Sequence, residues 1–461
     1  MKKYHLILAC SLIFIWLFYN ETIGVNASVF GLVLTGLICY LSQKRFLDKS
    51  NLILILTSVV SCFAFAWYGD FISFVAMGSS LIFLRFSIQD PKLKIVQSIP
   101  LVFINLFATS VRIFQFSQWL PQRKVENQLV KKLIAYFAIP ALFLTLFFSI
   151  YSFGSAHFSG LFSNYTLDLD LEQVLLIGVV GFYFSFSFWN YWVPQYCYDA
   201  NSKLDDDFSR EGRMVQQQTF SFLDLDFERK SGEITLVLLN CMILIFIGTY
   251  NYEQFFEEQA LVSLSEATHE RVNAVIFSIL MAVGVMLFYF KSGFNFDKKA
   301  SKLKLLSKIW IALNGILISS TIIKNVEYVS AFGLTYKRLG VFAFLLLASI
   351  GLALTFWKIY KQKTNAYLFN QMIWYFYGTV LLCSFINWGN VITRYNIRVN
   401  KGVELHFLES LDFNDVLYWE YSASHTDAIT KKTTAVEDPV QLNQKKSVLS
   451  KVLYYETLKK E

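Results

Sequence analysis

Charge is what this chain has least of. Only 16% of its 461 residues are Asp, Glu, Lys or Arg, against about 25% in an average soluble domain, so much of its surface is not built to face water. Six prolines and 21 glycines exclude collagen-like and proline-rich disordered classes. The cysteines (Cys10, Cys39, Cys62, Cys197, Cys241 and Cys383) are scattered, mostly through apolar stretches. They offer neither a C-x-x-C pair nor a disulfide framework and read as small buried apolar residues. Absent too are the phosphate-binding G-x-x-x-x-G-K-[ST] loop, a nucleophile elbow and a glycine-rich dinucleotide turn between strand and helix. His269 and Glu270 begin like the H-E-x-x-H zinc motif, but Asn273 stands where the second His belongs. His157, His269 and His406, even with Glu270, lack ligand spacing. No metal, cofactor or soluble-type catalysis is expected.

What abounds is apolarity. Hydrophobic residues make up 55% of the chain and aromatic ones 18%. Crossing about 30 Å of hydrocarbon takes roughly 17 to 25 apolar residues in a helix. Runs of nearly that length or more fall at 4–20, 22–41, 51–68, 71–84, 133–153, 174–193, 234–250, 272–290, 305–323, 339–357 and 366–388. None alternates in polarity with period two, which excludes a closed barrel, and in lipid only a helix then satisfies its own backbone. A further run, 95–111, is interrupted by Pro100 and Asn105 and closed by Arg112.

Basic residues orient such a chain, because cytoplasmic loops carry the excess of Lys and Arg. With the amino terminus cytoplasmic and 95–111 not crossing, the outer loops hold only Arg271, Lys324, Lys337 and Arg338, and the inner loops hold most of the rest. A crossing at 95–111 would carry Arg112, Arg123, Lys124, Lys131 and Lys132 outward. The expectation is therefore an all-α polytopic transmembrane bundle of about eleven crossings, with 95–111 re-entrant or interfacial. It would lie in a cell inner membrane with the carboxyl terminus periplasmic. The net charge of +7 is explained by the inner loops and the membrane surface, so nucleic acid is not implied.

Residues 390–461 break the composition. They are polar, with short amphipathic stretches such as 442–458, and suggest a small outward helical appendage docked on the outer loops. The division expected from sequence is 1–132, 133–389 and 390–461. The inner loop 194–233 mixes Asp205, Asp206, Asp207, Asp224, Asp226 and Glu228 with Arg210, Arg213, Arg229 and Lys230. Such loops are usually just solvated, although this loop or the appendage could meet a protein partner.

No ionisable residue stands deep inside the eleven runs, which disfavours a proton relay. The intramembrane amides Asn26, Asn240, Asn314, Asn370 and Gln371 read as hydrogen-bonding partners between helices before they read as ligand contacts.

Four stretches resemble a bacterial integral-membrane family known as a domain of unknown function of the 4153/4173 type. They are His269-Glu270-Arg271-Val272-Asn273, Trp310 with Asn314, Tyr328 followed by Gly333-Leu334-Thr335-Tyr336-Lys337-Arg338-Leu339-Gly340, and Asn387-Trp388-Gly389-Asn390-Val391-Ile392-Thr393-Arg394-Tyr395-Asn396-Ile397. The family's ending resembles N-x-D-x-x-I-A-R-Y-N; here Thr393 replaces Ala and Asn390 stands near the expected acid. The resemblance is specific over roughly the last 200 residues, weaker over the first 130, and implies a fold and a location but no activity.

On the expected topology these motifs meet on the outer face. The candidate cluster is Glu266, His269, Glu270, Tyr336, Arg338, Arg394, Tyr395 and Asn396, serving a ligand or the structure itself. An arginine there could cap a helix end, or pair with Glu266 or Glu270. The reading is a non-enzymatic envelope component that binds a ligand or partner outside. The alternatives are a carrier or lipid transporter without a proton relay, and an envelope transferase using an outward carboxylate such as Asp168, Asp170 or Glu270.

Overall fold

The computed structural model describes residues 2–42, 48–121, 128–155, 158, 170–210, 213, 222–256, 263–291, 293–425 and 439–458. Among the described residues the regular structure is entirely helical. The chain divides into two compact units. One comprises Met1–Pro91, Gln97–Pro194 and Glu437–Glu461, and the other Lys92–Val96 and Gln195–Val436.

The first unit contains α1 (Lys3–Phe18), α2 (Val25–Leu41), α3 (Lys49–Tyr68), α4 (Phe71–Gln89), α5 (Ser98–Arg112), α6 (Ile139–Gly154) and α7 (Leu171–Trp189). Several hydroxyls of these helices are satisfied by the main chain of the same helix. Ser11 donates to the Ile7 carbonyl at 2.7 Å, Thr35 to Gly31 at 2.9 Å and Ser58 to Leu54 at 2.7 Å, each folding back one turn. Asp70 and Asp170 accept from the amides of Ser73 and Gln173 and so start α4 and α7. Helix α7 packs along α1, where Trp189 donates to the Cys10 sulfur at 3.1 Å and Phe14 meets Phe184. That packing joins segments about 170 residues apart in sequence within the first unit.

Helix α5 is amphipathic with its polarity reversed. Its buried residues are Ser98, Leu101, Asn105 and Thr109, while Ile99, Phe103, Phe107 and Val111 are exposed. Asn105 donates to the Trp192 carbonyl and accepts from the Trp192 amide, at 2.8 and 2.7 Å. Arg112 donates to the Asn190 carbonyl at 2.6 Å, and the Tyr183 hydroxyl to the Leu106 carbonyl. The middle and the end of α5 are thus both tied to the last turns of α7 and the residues just beyond.

The second unit contains α8 (Leu225–Phe255), α9 (Ser263–Tyr289), α10 (Ser301–Phe332), α11 (Tyr336–Lys361), α12 (Asn365–Cys383), α13 (Trp388–Val399), α14 (Leu405–Glu409) and α15 (Asp415–His425). Its core joins Leu236 and Ile243 of α8, Ile279 and Met286 of α9, Trp310 and Leu317 of α10, and Leu345 and Leu352 of α11. Asn240 links α8 to α10 by donating to the Leu306 carbonyl at 3.1 Å. The run Asp205–Asp207 is fastened to the start of α12. Thr364 donates to the Asp206 carbonyl through its amide, Asn370 to the Asp206 carboxylate, and Lys363 to Asp207. These carboxylates face a helix amino terminus, whose dipole favours them, so this part of the loop is anchored where plain solvation was expected.

The segment beyond 390 is divided between the units. Helices α13 to α15 pack in the second. Residues 439–458 dock in the first, on the loops between α1 and α2 and between α3 and α4. The Glu21 carboxylate accepts from the hydroxyls of Ser447 and Ser450, the Val25 amide donates to the Lys451 carbonyl at 3.0 Å, and Tyr68 meets Tyr454. Gly24 lets the chains approach, since a Cβ there would stand 2.5 Å from the Lys451 carbonyl oxygen. Gly24→Val should therefore release residues 439–458 at a cost of roughly 1 to 3 kcal/mol. Limited proteolysis of the detergent-solubilised protein measures this, and unchanged protection of the Tyr454 region would contradict the described docking.

Candidate functional site

Three joints of the second unit converge on Asn396. The 32 residues of α10 and 26 of α11 rise about 48 and 39 Å at 1.5 Å per residue, more than about 30 Å of hydrocarbon. Their shared end projects past the apolar zone, where α10 carries Lys324 and Glu327. Between the two helices lies the loop 333–335. Asn396 of α13 is fully buried, accepts from the Leu334 amide at 2.6 Å and donates to the carbonyls of Leu334 and Gly402 at 3.1 Å each. One amide thus ties the loop to both ends of the turn after α13.

Arg338, one turn into α11, reaches back to the end of α10. Its guanidinium donates to the Phe332 carbonyl at 3.1 Å and to Gly333, and lies 4.2 Å from the Tyr328 ring centre. It therefore caps α10 through otherwise orphaned carbonyls and stacks on an aromatic face. Thr335 starts α11 by accepting from the Arg338 amide.

The remaining polar residues of the α13 motif are used similarly. Asn387 accepts from the Asn390 amide as a cap and donates to the Phe413 carbonyl at 2.9 Å. Thr393 accepts from Asn414 at 2.8 Å. The Tyr336 hydroxyl accepts from the Asp412 amide. At Gly389 a Cβ would come within 1.7 Å of the Asp412 carbonyl oxygen, so only glycine permits this crossing of chains. Val329, Leu334, Ile392, Leu408 and Leu411 fill the interior, with Tyr395 packed at the edge. Burial, with Glu409 adding to it, raises the Tyr418 phenol above its ordinary value, which keeps it neutral.

Of the sequence candidates, Tyr336, Arg338, Tyr395 and Asn396 are brought into this joint. Arg394 lies on the opposite, exposed face of α13. Glu266, His269 and Glu270 lie on the backbone of α9, with side chains outside the described residues, and Asp168 and His157 are outside them altogether. Among the described residues, Arg338 and Arg394 form no ion pair within 4.0 Å. No group of three metal-ligating side chains is found among the described residues either.

Two features escaped the sequence reading. Apolar runs ending at Leu84 and Trp357 continue as helix to Gln89 and Lys361, so Arg85 and Lys358 stand within the last turns of α4 and α11. Lys358 is fully buried and donates to the Phe290 carbonyl at the end of α9, at 2.8 Å. Arg85 borders a cavity of about 240 Å³. An arginine closing an apolar run was the only local signal, and it reads equally well as the end of a span.

The match to known families is decisive for kinship. A family described as Domain of unknown function (DUF4153) matches residues 6–420. The chain belongs to this family. No curated protein and no solved structure matches it. The family match takes in both units and stops before the docked segment 439–458. Among the described residues seven helices are long and apolar enough to cross a membrane, Ile95–Arg112 among them, and this member of the family is an integral membrane protein.

The joint sets a test of stability. Asn396→Leu leaves three main-chain groups of Leu334 and Gly402 without partners, each worth about 1 to 3 kcal/mol when buried. The variant should unfold well below the parent in detergent, whereas Arg394→Ala should stay within about 0.5 kcal/mol. Equal thermal midpoints for the two variants would show that the amide is not the tie.

Proposed function

We propose that this protein is a non-enzymatic component of a bacterial inner membrane. It crosses about eleven times, with its amino terminus cytoplasmic, and displays α13 outside to an acidic partner or anionic ligand. The observation that carries this reading is the division of labour on α13. Gly389, Ile392, Thr393 and Asn396 are locked inward, while Arg394 and Arg398, one turn apart, are exposed. Fixed guanidinium groups on a rigid helix suit carboxylate or phosphate recognition. On the expected topology the loops of that side hold only Arg271, Lys324, Lys337 and Arg338 as basic residues.

The crossing count is supported by the coincidence of all eleven apolar runs with helices, and by the contacts of α5. A helix bound through both its middle and its end to residues 183–192 is suited to lie at one membrane surface. Cysteines placed at Ser87 and Gln115 should then be labelled from the same side of intact vesicles. Labelling from opposite sides would give twelve crossings.

Function itself is tested by complementation of a deletion strain's envelope defects. Arg394→Glu with Arg398→Glu should abolish complementation while membrane insertion and thermal stability persist, and Asp168→Asn, Asp170→Asn and Glu270→Gln should each complement. Silence of the charge reversal together with loss in a carboxylate variant would favour the transferase reading instead.

A further inference from the structure

The cavity at the Arg85 end of the first unit is bounded by α4, α5 and α7. Ile82, Leu101, Val102, Leu106, Phe184 and Phe188 form its apolar wall, and Arg85, Ser98 and Tyr191 lie at its polar margin. At about 240 Å³ it exceeds the roughly 150 Å³ that accommodates benzene and falls short of the roughly 300 to 1,000 Å³ usual for a whole drug-sized ligand. It therefore suits part of a long molecule. Val102, Leu106 and Phe184 are wall and exposed surface at once, so the cavity opens sideways. The neighbouring exposed residues Phe103 and Phe107 show that it opens onto an apolar surface, and entry is from lipid.

Its polar margin is positive. The Arg85 guanidinium makes two long hydrogen bonds, 3.4 Å to the Phe188 carbonyl and 3.3 Å to that of Trp189, and lies 4.9 Å from the Trp189 ring centre. Lys3 is within electrostatic reach of Arg85, Arg112 and Asp90, and Arg85 of Asp90. Asp90 is the one carboxylate of that group and accepts from the Tyr191 hydroxyl. Three cations thus face one carboxylate. Ser98, 2% exposed, lines the same cavity with a hydroxyl that has no hydrogen-bond partner among the described residues, and a buried hydroxyl left so costs stability unless something fills the space beside it.

We propose that this cavity binds an anionic acyl lipid, its charged head at Arg85 and Ser98 and the first part of one chain along Val102, Leu106 and Phe184. The site is separate from the exposed face of α13 and does not depend on which side of the membrane either occupies.

The test uses the full chain, delipidated in a neutral maltoside detergent, with lipid binding followed by native mass spectrometry. Dioleoylphosphatidylglycerol should bind about tenfold more tightly than dioleoylphosphatidylcholine, as a charge-assisted contact implies. Arg85→Gln should remove that preference. Val102→Trp, which fills the cavity and leaves every charge in place, should weaken both lipids while the thermal midpoint holds, and it serves if the Arg85 variant does not fold. Oleate displacing phosphatidylglycerol at equal concentration would identify the head as any anion on a chain; oleate failing to displace it would identify a lipid phosphate. Equal binding of the two phospholipids to the parent, an unchanged preference in Arg85→Gln, unchanged binding in Val102→Trp, or displacement by inorganic phosphate alone would each overturn the proposal.

Discussion

A helix that ends in or beside a bilayer leaves four amides or four carbonyls with little or no water to bind. The joints of this chain are organised around that constraint. Three buried asparagines do most of the work, because a side-chain amide both donates and accepts. Asn26 donates to the carbonyls of Leu17 and Thr22 and accepts from the amides of Gly24 and Ala27, closing the turn between α1 and α2. Asn105 does the same between α5 and Trp192, and Asn396 between the α10–α11 loop and Gly402. Where only carbonyls need partners, a cation serves: Arg338 at the end of α10 and Lys358 at the end of α9. Both also complement the negative end of a helix dipole.

The same constraint accounts for the polar residues of the family-like motifs. They are rich in Asn, Arg, Thr and Tyr, the residues that catalysis also uses. Yet Asn387, Thr393, Asn396, Arg338 and Tyr336 each contact main chain or another member of the joint. Asn396, held by three hydrogen bonds in a filled interior, is fixed in place. What such a joint offers is rigidity, and the exposed arginines on the far side of α13 inherit it.

The sequence is most informative where physics is local. Each of the eleven apolar runs is largely helical, because a long apolar segment best satisfies its own backbone as a helix. The ends were less legible. Apolarity stops at Leu84, Ile323 and Trp357, but hydrogen bonding continues to Gln89, Phe332 and Lys361, which is how Arg85 and Lys358 came to lie within helices. Contacts across the chain left no local trace. Nothing near Glu21 announces Ser447 and Ser450, and nothing near Asn105 announces Trp192. The importance of Asn396 was legible through its motif, whereas its role required knowing that a loop sixty residues earlier would fold onto it.

Helix α5 shows how the same constraint leads from structure to binding. Its sequence places Ser98, Asn105 and Thr109 on one face and Ile99, Phe103, Phe107 and Val111 on the other. In water the apolar face would turn inward. Here the polar face is turned inward and held by Trp192 and Asn190, an arrangement suited to lipid on the other side. The cavity beside Arg85 lies where Ser98, Leu101 and Asn105 of that face meet Phe86, Phe184 and Phe188. Its position is therefore a consequence of how α5 lies, with an apolar opening toward lipid and a positive margin where the helix ends gather their cations.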